Sequence, residues 1–233
     1  MVPPWARTVT EKLRHSHAQE AELISDPEAL AILEGRNGVS QIDAVTEIVE
    51  DYIQKKRPFK LRPSMLLHLH RIALYGISSY AGNYRPAGIE IQGSKHEPVG
   101  AHMVPEKIEE MCDYVNENWE KASPLHLAAY VLWRLNWVHP FTDGNGRTAR
   151  ACSYLVLCLR LGHPLYGGNS VPAQIAEDKT PYYDALEAAD AACNPDANQL
   201  DVEALESLLS VLLTRQLLGV LHNAQGADAA IPH

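Results

Sequence analysis

Twelve consecutive residues, His139 to Arg150, hold most of the side chains in this chain that could do chemistry together. They read His-Pro-Phe-Thr-Asp-Gly-Asn-Gly-Arg-Thr-Ala-Arg. The run offers a titratable base (His139), a carboxylate (Asp143), two glycines around an asparagine (Gly144, Asn145, Gly146) and two arginines (Arg147, Arg150). Asp-Gly and Asn-Gly are turn dipeptides, and glycine permits positive φ. Arg147 to Leu161 is apolar and stops at Gly162 with Pro164 beyond, so a helix is expected to start just after the turns. The N-terminus of a helix presents unpaired N–H groups and the positive end of its dipole, which suits a phosphate. Arg147 and Arg150 share one face of the first turn, where two cations oppose the dipole unless an anion bridges them. Asp143 would repel a phosphate by itself. A hard cation such as Mg²⁺, held by one or two carboxylates plus phosphate oxygens, removes the conflict. His139 stands ahead of the loop, where it can accept a proton from a hydroxyl. Taken one at a time these are a helix boundary, a turn and a solvated face; their order between the apolar segments 125–138 and 151–161 points to a preformed nucleotide site.

The run resembles the signature of the Fic family, His-Pro-Phe-x-(Asp/Glu)-Gly-Asn-Gly-Arg-x-x-Arg, at every specified position. The resemblance implies an all-α fold, a helical bundle with a small β-hairpin flap, and transfer of AMP from ATP to a protein hydroxyl. The related Doc branch, which transfers phosphate, carries Lys where this chain has Gly146. By the resemblance His139 is the base, Asp143 the Mg²⁺ ligand, and Gly144, Asn145, Gly146, Arg147 and Arg150 the phosphate-binding set. Asn145 and the glycine amides would hold the α-phosphate, Arg147 the β and Arg150 the γ. Phe141 reads as a buried anchor for the loop.

Upstream, Ile89-Glu90-Ile91-Gln92 alternates with period two and ends at Gly93, a short strand where the family has its flap. An exposed strand edge could hold an extended target peptide by main-chain hydrogen bonds. Downstream, Tyr182-Tyr183-Asp184 resembles the family's Tyr-Tyr helix start near the adenine. That makes Tyr183 and Asp190 candidates for the base side, with ordinary helix packing as the alternative. The match spans roughly residues 61–194.

The N-terminal third carries a second signal. Asp26-Pro27-Glu28 is a strong helix start, and the helix is expected to stop at Gly35. Glu34-Gly35 matches the second half of the family's inhibitory pattern, (Ser/Thr)-x-x-x-Glu-(Gly/Asn), with Leu30 where the family has Ser or Thr. The resemblance places Glu34 against Arg150, blocking the γ-phosphate. The plain alternative is a glutamate before a C-cap glycine.

The rest of the chain must position these groups. Helices are expected over 39–52, 61–75, 105–119 and 200–221. Another, capped by Ser123 with Pro124 at N1, is apolar nearly all round and should be the centre of the fold. The domain plan is an N-terminal helical extension (1–60, inhibitory helix about 27–35), a core (61–195, flap about 85–98) and a C-terminal helix with a disordered tail (196–233). At 233 residues the chain can bury a full core. A net charge of −9 argues against nucleic acid or an anionic membrane as the main partner. The four cysteines (Cys112, Cys152, Cys158, Cys193) show no CxxC spacing; Cys152 and Cys158, inside an apolar helix, are expected to be buried thiols, and a reducing, cytoplasmic setting is expected. No signal peptide and no membrane span are expected. The leucine stripe of the last helix packs on the core or forms a homodimer. The expected partners are ATP with Mg²⁺ and a target protein bearing a Ser, Thr or Tyr hydroxyl, self-modification included. Other donors, removal of AMP, and a silent nucleotide-binding module stay open.

Overall fold

The computed structural model describes residues 26–91, 96–167, 169–193 and 200–228, with side chains as far as His222. The described residues form eight α-helices: α1 (Pro27–Gln54), α2 (Pro63–Ala73), α3 (Val104–Glu117), α4 (Pro124–Val138), α5 (Asn145–Leu161), α6 (Val171–Glu177), α7 (Thr180–Ala192) and α8 (Glu203–Asp228). A short 3₁₀ turn, Ala101–Met103, precedes α3. The expected all-α class holds among these residues.

The centre of the bundle is the α4–α5 pair, the most extensively packed among the described helices. Ser123 caps α4 by accepting from the His126 amide at 2.9 Å, with Pro124 in the first turn. Leu127, Leu132, Leu135, Leu155 and Val156 have no exposed surface, as the all-round apolar pattern of these helices requires. Helices α1, α2 and α8 pack around the pair. Cys112, Cys152 and Cys158 lie in this core as free thiols, and burial pushes all three up from the ordinary thiol value.

Three expectations change here. The first helix does not stop at Gly35; α1 runs through Gly35 and Gly38 to Gln54, merging two expected helices. Neither glycine is in the left-handed conformation a C-cap needs. Buried polar contacts on either side hold the helix together. Asn37 Nδ2 donates to the carbonyls of Ala73 and Tyr75 at 3.2 and 2.8 Å, and Gln41 Nε2 to that of Leu69 at 3.0 Å. These bonds satisfy the C-terminal end of α2, and tertiary contact overrides glycine's low helix propensity.

The last helix also runs on, to Asp228, through part of the segment expected to be a disordered tail. With no proline before residue 232, each added residue gains one helical hydrogen bond. Residues 229–233 lie outside the described region. Its segment Glu203–His222 is long and apolar enough to cross a membrane by length and composition, where no such segment was expected. One face, including Leu205, Leu209 and Leu212, is buried against the bundle.

No strand is found among the described residues. Residues 87–91 are irregular backbone, with Ile89 and Ile91 half-buried and Glu90 exposed. The period-two pattern survives as alternating burial, but no second described segment completes a ladder. Gln92, the fourth expected strand residue, lies outside the described region.

Candidate active site

The loop between α4 and α5 is a corner built from two left-handed residues. His139 ends α4 at φ 50°, and Gly144 precedes α5 at φ 75°. A histidine there is uncommon and needs surrounding contacts to hold it. Gly144 meets two demands together. Beyond its φ, a Cβ on it would lie 2.3 Å from Leu74 Cδ2.

Buried polar groups brace the corner. Asn145 is 5% exposed; its Oδ1 accepts from the Phe141 amide and its Nδ2 donates to the Phe141 carbonyl, both at 2.9 Å. Phe141 is wholly buried, the anchor expected, and stacks on His70 with ring centroids 3.7 Å apart and planes within 5°. His70 Nδ1 accepts from the Gly82 amide at 2.9 Å. Its Nε2 must then carry the proton donated to the Asp143 carbonyl, 3.0 Å away. Burial lowers the His70 pKa from 6.5 to about 4, so the ring is neutral.

This corrects one assignment. The Asn145 carboxamide is committed to Phe141 and closes the loop, so Asn145 faces an anion chiefly through its own N–H in the first turn of α5. The first-turn N–H groups of a helix have no partner inside it. The Gly144 N–H is already taken by Asp143 Oδ1 at 2.5 Å.

A cleft of about 780 Å³ opens over this corner and gathers nearly all the expected residues. His139, Asp143, Gly144, Asn145, Gly146, Arg147 and Arg150 line it, with Tyr183 and Asp190 from α7, Glu34 from α1 and Ile91 from the irregular segment. Ile89 and Glu90 instead line a neighbouring groove with Thr142.

His139 Nδ1 faces the Asn136 carbonyl at 3.4 Å, an orientation that leaves Nε2 as the proton acceptor. Burial lowers its pKa to about 4; Arg85 and His96 push the same way, Asp143 and the Asn136 carbonyl the other.

The two arginines differ sharply. Arg147 bridges two carboxylates, Asp143 Oδ2 at 2.7 Å and Glu34 Oε1 at 2.9 Å. Glu34 was expected against Arg150; the continuous path of α1 places it on the nearer arginine instead. Arg150 has no carboxylate partner among the described residues and is largely desolvated, which lowers its pKa. Its Nη1 lies 3.3 Å from where a Gly146 Cβ would sit, so the glycine makes room for it. A desolvated cation without a counterion beside unpaired helix N–H groups is built for an anion.

On the far wall, Asp190 Oδ1 accepts from Trp133 Nε1 at 2.8 Å, and Tyr183 is 53% exposed. Tyr182, beside Tyr183, is buried, and its hydroxyl accepts from Asn136 Nδ2 at 2.8 Å. Burial raises its pKa.

Several cleft residues went unmarked in the sequence. His96 lies tilted against Trp137 and contacts its carbonyl at 2.7 Å, Lys179 adds a cation at the rim, and Asn136 helps fix the floor. None carries a local signal, because each reaches the site through tertiary packing. His70 and Arg85 lie farther from the motif still.

Comparison with known proteins agrees with this geometry. The Fic/DOC family model matches residues 60–157. The protein adenylyltransferase fic-1 of Caenorhabditis briggsae is 31% identical over 163 residues, covering 64% of this chain and 32% of that protein. The protein adenylyltransferase Fic of Nematostella vectensis is 30% identical over 166 residues, covering 68% of this chain and 35% of that protein. The chain thus spans about a third of the length of these curated relatives. Among solved structures, a Fic domain containing signaling protein from Bacteroides thetaiotaomicron shares the fold with a TM-score of 0.64 at 26% identity, over 80% of this chain and 69% of that one. By its motif, its fold and these relatives, the chain carries a Fic/DOC family domain over residues 60–157.

Proposed function

We propose that this chain transfers AMP from ATP to a Ser, Thr or Tyr hydroxyl of a target protein. The observation that carries the proposal is the convergence of His139, the α5 N-terminus and the carboxylate-free Arg150 in one cleft. The curated relatives are named protein adenylyltransferases, which supports the same reaction class.

The triphosphate lies over the Asn145 and Gly146 N–H groups, with Arg147 and Arg150 pairing its outer phosphates. Gly146 permits close approach, and both guanidinium forks match phosphate oxygens. Asp143 is the residue that would hold Mg²⁺. The fit is a sparse one: Asp143 is an exposed carboxylate, and no group of three or more His, Cys, Asp or Glu side chains suited to a metal occurs among the described residues. That suits Mg²⁺, which keeps water and takes phosphate oxygens for the rest of its shell. Bound there, the ion would offset phosphate charge.

The target hydroxyl oxygen attacks the α-phosphorus in line. The new O–P bond forms as the bond to the bridging oxygen breaks, and pyrophosphate departs with that electron pair. The hydroxyl proton passes to His139 Nε2. A base with a pKa of about 4 is always free to accept but weak. Negative phosphates beside the ring raise that value toward the working range. Tyr183 and Asp190 face the base. The segment from Ile89 to Ile91, at the edge of the cleft, holds the target chain, and the chain itself is a second target wherever its own hydroxyls reach the cleft. Glu34 restrains the donor site by holding Arg147 away from phosphate.

The test is incubation with Mg²⁺ and ATP labelled at either the α- or the γ-phosphate, using a lysate as target source. Label from the α position only, lost in His139→Ala, is expected. Label from the γ position would contradict nucleotidyl transfer, and full transfer by a folded His139→Ala would contradict the role of the base.

A further inference from the structure

Arg85 is 3% exposed and sits behind the catalytic corner rather than in the nucleotide cleft proper. It has no carboxylate partner among the described residues. Its guanidinium is spent on backbone carbonyls from three segments: Nε donates to His139 at 2.7 Å, Nη1 to Ala87 at 2.9 Å, and Nη2 to Val99 and to Val138 at 3.4 Å. Its own amide donates to the Pro140 carbonyl at 2.9 Å.

A buried guanidinium is costly, so this arrangement persists only if the carbonyls repay it. Val138 and His139 carry two of the last carbonyls of α4, which have no partner inside the helix. His139 is also the non-glycine residue held at φ 50°. One side chain therefore caps the helix end, pins the strained residue, and fastens it to the backbone of Ala87 and Val99.

We propose that Arg85 is a positioning residue for His139, fixing the left-handed corner that aims the imidazole at the cleft and tying it to the backbone at Ala87 and Val99. The proposal deepens the transfer reading above and rests on it for its kinetic test. Lysine cannot substitute: its donors radiate from one nitrogen, whereas these carbonyls are met on three edges of a planar fork. A second effect follows from charge. The groups acting on the His139 ring are Arg85, His96, Asp143 and the Asn136 carbonyl, and Arg85 is the neighbouring charge that opposes its protonation most strongly.

The test compares wild type with Arg85→Lys and Arg85→Gln. Folding is checked by circular dichroism, donor affinity by equilibrium binding of ATP, transfer by single-turnover rates across pH, and the His139 ring by nitrogen NMR titration. Misplacing a reacting group by about 1 Å can cost on the order of 10²-fold. Both variants are therefore expected to fold and to bind ATP within about threefold of wild type, yet to transfer roughly 10- to 100-fold more slowly. Arg85→Gln should also move His139 titration upward, and Arg85→Lys less so. Transfer within about twofold of wild type in both folded variants, or a loss confined to ATP affinity, would overturn the proposal. So would failure of both to fold, which would make Arg85 a residue of core stability. If wild type transfers nothing from any donor, the transfer reading fails, and the His139 titration still judges Arg85: an unchanged titration in both variants overturns it.

Discussion

Two polar regions meet at the α5 N-terminus and are built on opposite plans. At the rim, Glu34, Arg147 and Asp143 join through carboxylate–guanidinium pairs, with the two acids 44% and 61% exposed. Behind the loop, His70, Arg85, Asn145 and Phe141 are buried and bind almost wholly to backbone. Exposed ion pairs contribute about 0–1 kcal/mol and are readily exchanged for another anion. A buried group that loses its partner costs about 1–3 kcal/mol. The rim can therefore change partners when another anion arrives, and the frame behind it cannot.

The largest effect expected lies on the reacting group between the two regions. His139→Ala should remove general-base help worth ~10²–10⁴-fold. His139→Asn should do the same and fold better, because Asn tolerates the left-handed backbone. Transfer rates beside thermal melts check both.

Next come the frame positions. Gly144→Ala places a methyl against Leu74 at a positive φ, and a loss of about 1–3 kcal/mol is expected in denaturant unfolding. His70→Leu should cost a similar amount, since it leaves the buried Gly82 N–H and the part-buried Asp143 carbonyl unpaired. A His70→Leu protein as stable as wild type would remove the contrast between frame and rim.

Acid should also act on the frame. His70 and His139 have folded pKa values of about 4 against an ordinary 6.5. Between those limits the unfolded chain binds more protons, so stability rises with pH there. The contribution is complete above about 6.5 and is lost as pH falls toward 4. The melting temperature of wild type should drop across that window, and that of His70→Leu should drop less.

The smallest effect on stability belongs to the rim. Glu34→Gln should change unfolding by under about 1 kcal/mol while raising transfer, because Arg147 is released to phosphate. Equal transfer by both proteins would make Glu34 a surface residue only.

The division between rim and frame also explains what was legible in the sequence. The motif lies within twelve contiguous residues, so its turns, helix start and paired arginines could be read locally, as could the Ser123–Pro124 cap of α4. The frame could not: His70 reaches Asp143 across 73 positions and Arg85 reaches His139 across 54, and no local pattern encodes either. The misplaced stop at Gly35 has the same origin. Asn37 and Gln41 bind the end of α2, and that contact carries α1 through two glycines. The longer helix then sets Glu34 on Arg147 rather than Arg150. The role of Asn145 was misread because its partner, the Phe141 backbone, looks like ordinary loop in one dimension.

The most direct test of the account measures transfer of α-phosphate label by wild type, Glu34→Gly and Glu34→Gly combined with His139→Ala, at equal donor concentration. A rim that restrains and a corner that reacts predict more label for Glu34→Gly and none for the double variant. Label unchanged by Glu34→Gly, or retained without His139, would contradict it.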